Sequence, residues 1–187
     1  FEGCTALETI NLPTGLESIG AGAFASCSSI ETVEIPDTVS EISDSAFNNC
    51  TSLSSVSLPE GIAVIEDGVF SGCSAMESII IPESVTEIGE EAFAGCDSLT
   101  SIVISDNVTS IGAEAFRNCE SLKSVTIPAS IKSIGSMAFD WCKNLADITF
   151  QGTIAQWKEI KLSRSWKSNV PSTVVHCADG DVSAWRY

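Results

Sequence analysis

The sequence predicts an α/β solenoid: a right-handed stack of short coils that share a parallel β-sheet and end in a C-terminal cap. Three observations carry this. Cysteine recurs every 23 residues, at Cys4, Cys27, Cys50, Cys73, Cys96, Cys119 and Cys142. Phenylalanine keeps the same step three places earlier, from Phe1 and Phe24 to Phe116 and Phe139. The 187-residue chain is 44% hydrophobic, yet no single 23-residue unit can bury its own apolar side, so each needs a neighbour above and below.

The unit from Leu99 to Cys119 shows how one coil is built. Ile102 and Ile104 point inward two residues apart, which is the alternation of a strand. The same two columns hold Ile10 and Leu12, Val33 and Ile35, Val56 and Leu58, Ile79 and Ile81, Val125 and Ile127, then Ile148 and Phe150. Proline follows at Pro13, Pro36, Pro59, Pro82 and Pro128, with Ser105 in that place once. Having no N–H for a ladder, proline ends the strand there. Val108 to Ile111 is a second extended piece, and Gly112 permits a bend. Ala115 and Phe116 then drop inward ahead of Cys119. Stacking sets matching strands of successive coils about 4.8 Å apart.

The spacing Leu-x-x-Ile-x-Ile-Pro-x-x-Val-x-x-Ile-Gly-x-x-Ala-Phe-x-x-Cys, held in phase over residues 1–150, resembles the leucine-rich repeat. More narrowly it is similar to the BspA-like repeat of bacterial surface proteins. The resemblance implies a leucine-rich repeat solenoid over 1–150, about six and a half repeats long, and a capping segment over 151–187. It also implies an extracellular or cell-surface bacterial protein, whose relatives serve adhesion and host contact. Phe1 falls in mid-unit, so the chain is expected to be an N-terminally truncated part of a longer one.

The period ends after Phe150. Thr153 is read as the cap of a helix whose short apolar face is Ile154, Trp157 and Ile160. A polar loop bearing Pro171 covers 163–172, and Thr173 to Cys177 forms one more strand before a turn at 178–181. Trp166 and Trp185 also lie in this tail.

Composition excludes several functions. A net charge of −16, from 25 acids and 9 bases, repels polyanions, so no nucleic-acid partner is expected. No apolar stretch approaches the roughly 18 residues that cross a bilayer, so this segment is not expected to insert in a membrane. One histidine (His176) and one tyrosine (Tyr187) leave few groups for acid–base chemistry. There is no Gly-x-Ser-x-Gly elbow, and the glycines at Gly20 and Gly22 lack the third of a dinucleotide loop. No enzyme, cofactor or metal is expected. Residues 1–116 hold 19 acids and no base, whereas 117–187 hold all nine bases and six acids. This is read as a solvated acidic surface that keeps an exposed stack soluble; the alternative is a bipolar rod whose positive end docks to an acidic neighbour.

The seven periodic cysteines are read as buried free thiols behaving as small apolar residues. Zinc needs converging ligands, usually from C-x-x-C knuckles, and there are none. Side chains stacked in parallel do not favour the near-perpendicular torsion of a disulfide. Cys177 is off-register, which leaves a bridge to Cys142 open. Glu66-Asp67 and Glu90-Glu91, with Asp44 in the column of Asp67 and Glu90, are read as a solvated face, with adventitious calcium as the alternative. Asn49-Cys-Thr51 and Asn107-Val-Thr109 match the glycosylation sequon and are expected to go unused.

The outward strand positions are the candidate site. One column runs Thr9, Thr32, Ser55, Ser78, Ser101, Ser124, Asp147, and the next Asn11, Glu34, Ser57, Ile80, Val103, Thr126, Thr149. Stacked outward apolar residues such as Ile80 and Val103 mark a contact site. The candidate partner-binding residues are Ser57, Ser78, Ile80, Ser101, Val103, Ser124 and Thr126, with a protein as the expected ligand of the sheet face. Two alternatives stay open. One is a structural spacer or display stalk within a larger surface protein. The other is carbohydrate binding through Trp141, Trp157, Trp166 and Trp185, which requires two of these rings to be coplanar and exposed.

Overall fold

Each 23-residue unit closes one coil with two short extended sides. The structure, a computed structural model, describes residues 1–163 and 165–184. On one side Thr32–Glu34 pairs in parallel with Ser55–Ser57. Further along, Ser101–Val103, Ser124–Ile127, Asp147–Phe150 and Val174–Cys177 form a parallel ladder, closed by antiparallel Gly180–Ser183. The register repeats the sequence period: Thr32 faces Ser55 and Ser101 faces Ser124. A second side carries two-residue strands. Ser18–Ile19 pairs with Glu41–Ile42, and Val64–Ile65, Glu87–Ile88, Ser110–Ile111, Ser133–Ile134 and Lys161–Leu162 make a second parallel ladder.

Between these sides the chain turns tightly. After each inward strand residue the Pro13, Pro36, Pro82, Ser105 or Pro128 carbonyl accepts the N–H three residues on, at 2.9–3.2 Å. The third side contains two left-handed residues per coil. One rung is Gly22, Ser45, Gly68, Glu91, Glu114 and Met137; the other is Gly3, Ser26, Asn49, Gly72, Gly95, Asn118 and Trp141. This handedness favours glycine and asparagine, and at Gly72 a Cβ would run into the Asn49 side chain. The turns leave no room for a helix on this side. Among the described residues the α-helix is Ile154–Glu159 alone, so the architecture is a parallel β-solenoid and the expected α component is minor. That helix is not long and apolar enough to cross a membrane.

Two files of side chains fill the interior. Phe1 through Phe139 stack ring on ring, with centroids 5.1–5.8 Å apart and planes within 14°. Beside them Cys27, Cys50, Cys73, Cys96, Cys119 and Cys142 are buried free thiols, while Cys4 at the first coil is exposed. Each buried Sγ donates to the phenylalanine carbonyl of the preceding coil at 3.1–3.3 Å. A small, weakly polar group therefore satisfies a carbonyl that a methyl group would leave with its own coil's N–H alone.

The tail continues the stack. Thr153 caps its helix through a capping box with Gln156, so two N-terminal donors are satisfied locally. This helix packs Trp157 against Phe150 (5.2 Å) and Trp166 (5.9 Å). Trp166 meets Phe139 edge-on at 6.0 Å and ends the phenylalanine file. Asp140, buried, accepts Ser168 Oγ at 2.7 Å and ties the last turn to the tail. The Cys142–Cys177 bridge does not form. Cys177 lies opposite Phe150 in the strand register, in a different file from Cys142, and both are free thiols.

Candidate functional site

The ladder gathers the candidate residues into two adjacent files. Val103 faces Thr126 and Ser101 faces Ser124; Ser57, in the file of Glu34, stands two coils earlier. Ser78 and Ile80 occupy the matching positions of the coil between. Among the described residues, this is the one coil from Thr32 to Phe150 that contributes no strand to this face.

Alternation decides what these positions present. Ile79, Ile81, Ile102 and Ile104 fill the interior and are buried. Ile80 and Val103 must then point outward, and they are 84% and 64% exposed. Their neighbours on the face carry small hydroxyls. Ile80 and Val103, with Ser78, Ser101 and Glu83, border a shallow depression of about 290 Å³. Its far rim is braced by Ser105 Oγ, which donates to the Pro82 carbonyl at 3.0 Å, and by Asn107 Nδ2, which donates to the Glu83 carbonyl at 2.7 Å. Glu83 follows Pro82 directly. Sequence reasoning missed it as a rim residue, although its place one step past the strand-ending proline was the signal. The side chains around the depression are acidic or neutral, since no base precedes Arg117.

The other candidates lie elsewhere. Asp44, Asp67 and Glu90 border a separate depression on the turn side, where Asp67 Oδ1 accepts the Glu90 N–H at 2.6 Å. Loss of solvent, and then the Asp44 and Asp67 charges, raise the neighbouring Glu66 carboxyl. Among the described residues no group of His, Cys, Asp or Glu is arranged to hold a metal ion. His176 Nδ1 lies 2.8 Å from Asp181 Oδ1 across the terminal hairpin. That hydrogen bond raises its pKa, and both groups are exposed, so the pair belongs to the surface of the cap.

The three described tryptophans do not build a sugar platform. Trp157 and Trp166 are core residues, 0% and 4% exposed, because they close the apolar end of the stack. Trp141 is exposed with Lys143 Nζ 5.4 Å from its ring centroid, and Trp185 lies outside the described residues, as does Tyr187. The requirement of two exposed coplanar rings is not met by the three described.

The family described as BspA type leucine-rich repeat region matches residues 1–100 and 65–169, in six copies. A leucine-rich repeat protein of Bacteroides ovatus is 37% identical, with a TM-score of 0.73 over 77% of this chain and 40% of its own. A leucine-rich repeat protein of T. pallidum is 34% identical, with a TM-score of 0.68 over 70% of this chain and 61% of its own. A leucine-rich cell surface protein of Faecalibacterium prausnitzii is 25% identical, with a TM-score of 0.52 over 86% of this chain and 64% of its own. The chain thus spans less than two thirds of each of these proteins. No curated relative matches it.

Proposed function

The chain belongs to the BspA-type leucine-rich repeat family, and from that premise we propose that it is a non-enzymatic module that recognises a protein partner at the bacterial surface through its long-strand face. One observation carries the reading: Ile80 and Val103 stand exposed on successive coils, where the other outward positions from Thr9 to Thr149 hold hydroxyl, amide or charged side chains. Serine or threonine at either place would keep the strand pattern and the solubility, as it does at Ser57 and Thr126. Two outward apolar groups add nothing to the interior and act only when covered. The extracellular placement leans on the Faecalibacterium relative, which is itself described as a cell surface protein.

The test is capture of extracellular and matrix proteins by the immobilised chain, with Ile80→Asp/Val103→Asp alongside. Loss of a captured partner with unchanged melting supports recognition. Identical capture by both chains rejects it. A second reading, a spacer within a larger surface protein, is favoured by the unbroken repetition of the inner files. It predicts that no partner distinguishes the two chains.

A further inference from the structure

We propose that the segment received at Ile80 and Val103 is a short basic stretch of polypeptide, one or two apolar side chains flanked by lysine or arginine. The inference rests on the recognition reading above and adds the chemistry of the partner.

Size sets the first limit. The apolar strip is two rungs long, because Ser57 precedes it and Thr126 follows it in the same file. Across the strand, Ser78 and Ser101 bound it with hydroxyls. The depression of about 290 Å³ lies at the lower end of small-molecule pockets and is partly open to solvent. It suits the end of one or two aliphatic side chains. A broad apolar interface would need a larger patch.

Charge sets the second. Glu83 borders the depression, Glu77 stands one residue before Ser78, and Glu60 and Asp106 hold the corresponding turns of the adjoining coils. All four are exposed. No base lies between Glu60 and Asp106 in the chain; the next one on this side of the stack, Lys123, stands beside Thr100 on the coil after that of Val103, past the end of the depression. A partner segment bearing lysine or arginine around its apolar anchor gains attraction on approach and in the docked state, and an acidic segment is repelled. The same field disfavours two rivals. A second copy of this face would set Glu83 against acids, and an anionic lipid surface would meet a like charge.

Fluorescence anisotropy with the full chain tests this. The labelled peptides are about ten residues long, alternating lysine with valine, glutamine with valine, glutamate with valine, and lysine with serine. The expected result is that the Lys–Val peptide binds about tenfold or more tightly than each of the others. Ile80→Ser/Val103→Ser should weaken it about tenfold without any change in chain charge. Glu77→Gln/Glu83→Gln should weaken it roughly threefold, an effect that fades as salt is raised towards about 1 M. Thermal melting confirms that each variant is folded; should the serine pair melt early, Ile80→Thr/Val103→Thr replaces it. Equal binding of the Lys–Val and Gln–Val peptides, both lost in Ile80→Ser/Val103→Ser, overturns the basic partner while leaving the recognition face standing. Equal binding of Lys–Val to the wild type and Ile80→Ser/Val103→Ser reveals diffuse adsorption to an acidic rod and overturns the proposal. Failure of both the peptides and the protein-capture experiment to distinguish the variants removes the recognition reading as well.

Discussion

Near pH 10 an unfolded cysteine is ionised, whereas a cysteine in the buried file keeps its proton. Burial pushes the Cys50 thiol up to about 11 and those of Cys96 and Cys142 up to about 12. Cys73 and Cys119 are raised well above the ordinary value by the same loss of solvent. An acid with a raised folded pKa holds more protons folded than unfolded, so stability falls as the pH climbs past its unfolded value. The size of the loss depends on that unfolded value as long as the folded pKa lies above the working pH. With the ordinary value of 9.0, each unfolded thiol gains about 1.4 kcal/mol by ionising near pH 10. The five thiols named would together remove about 7 kcal/mol, comparable to the whole stability of an ordinary domain. Lys167 acts in the opposite sense. Burial lowers its ammonium to about 8, so stability recovers in part between there and its ordinary 10.5. Equilibrium urea unfolding at about pH 8 and about pH 10, in reductant, measures the balance for the wild type and for Cys96→Ala. The variant should lose about 1.4 kcal/mol less on going to the higher pH. An identical pH dependence in the two chains would refute the argument that the thiol is protonated only because it is buried.

Two further perturbations probe the files and the turns. Phe93→Ala removes a ring stacked on both sides, at 5.6 and 5.3 Å, and should cost about 3–5 kcal/mol in urea unfolding. Phe1→Ala removes one stack from a ring that is 70% exposed and should cost under about 1 kcal/mol; equal losses would mean that the rings do not form a continuous file. Trp141 occupies a left-handed position, φ 60°, where Asn49 and Asn118 stand in other coils. Trp141→Asn relieves about 1 kcal/mol of backbone strain against a cation–π contact with Lys143 of roughly 0.5 kcal/mol. The urea midpoint should therefore rise slightly, and a clear fall would show that the indole contributes more than its exposure suggests.

Much of this structure was legible because the signal was repeated. One coil read alone is a run of short apolar pairs that fits helix or strand, but seven copies in phase fix which residues share a file. The inward Phe and Cys columns, the strand at Ile102 and the outward display of Ile80 and Val103 all follow from that. The sequence places the second extended side at Val108 to Ile111, whereas the strand is Ser110–Ile111; Thr109 still bonds the neighbouring coils through its N–H and carbonyl, and the Val108 N–H is engaged in the turn that starts at Ser105. The tail has no period to average over. Its helix cap was readable from Thr153, a local signal, whereas the burial of Trp157 and Trp166 depends on how the tail folds back on Phe139 and Phe150. The same holds for Cys177, whose neighbour across the strand is Phe150 and not another thiol. At the candidate site, the sequence identified the apolar pair and its hydroxyl surround. The missing strand at Ser78–Ile80 was not foreseen, since Ser-Ile-Ile-Ile is as compatible with a strand as any coil of the chain; nothing in the local packing explains it.

Thiol accessibility tests the stacked interior most directly. The folded chain, in reductant-free buffer near pH 8, is treated briefly with iodoacetamide and each cysteine is read by mass spectrometry. The stack predicts alkylation at exposed Cys4 and partly exposed Cys177, and none at Cys27, Cys50, Cys73, Cys96, Cys119 or Cys142 until urea is added. Modification of Cys73, Cys96 or Cys119 in the folded chain at the rate of Cys4 would contradict a single inner file.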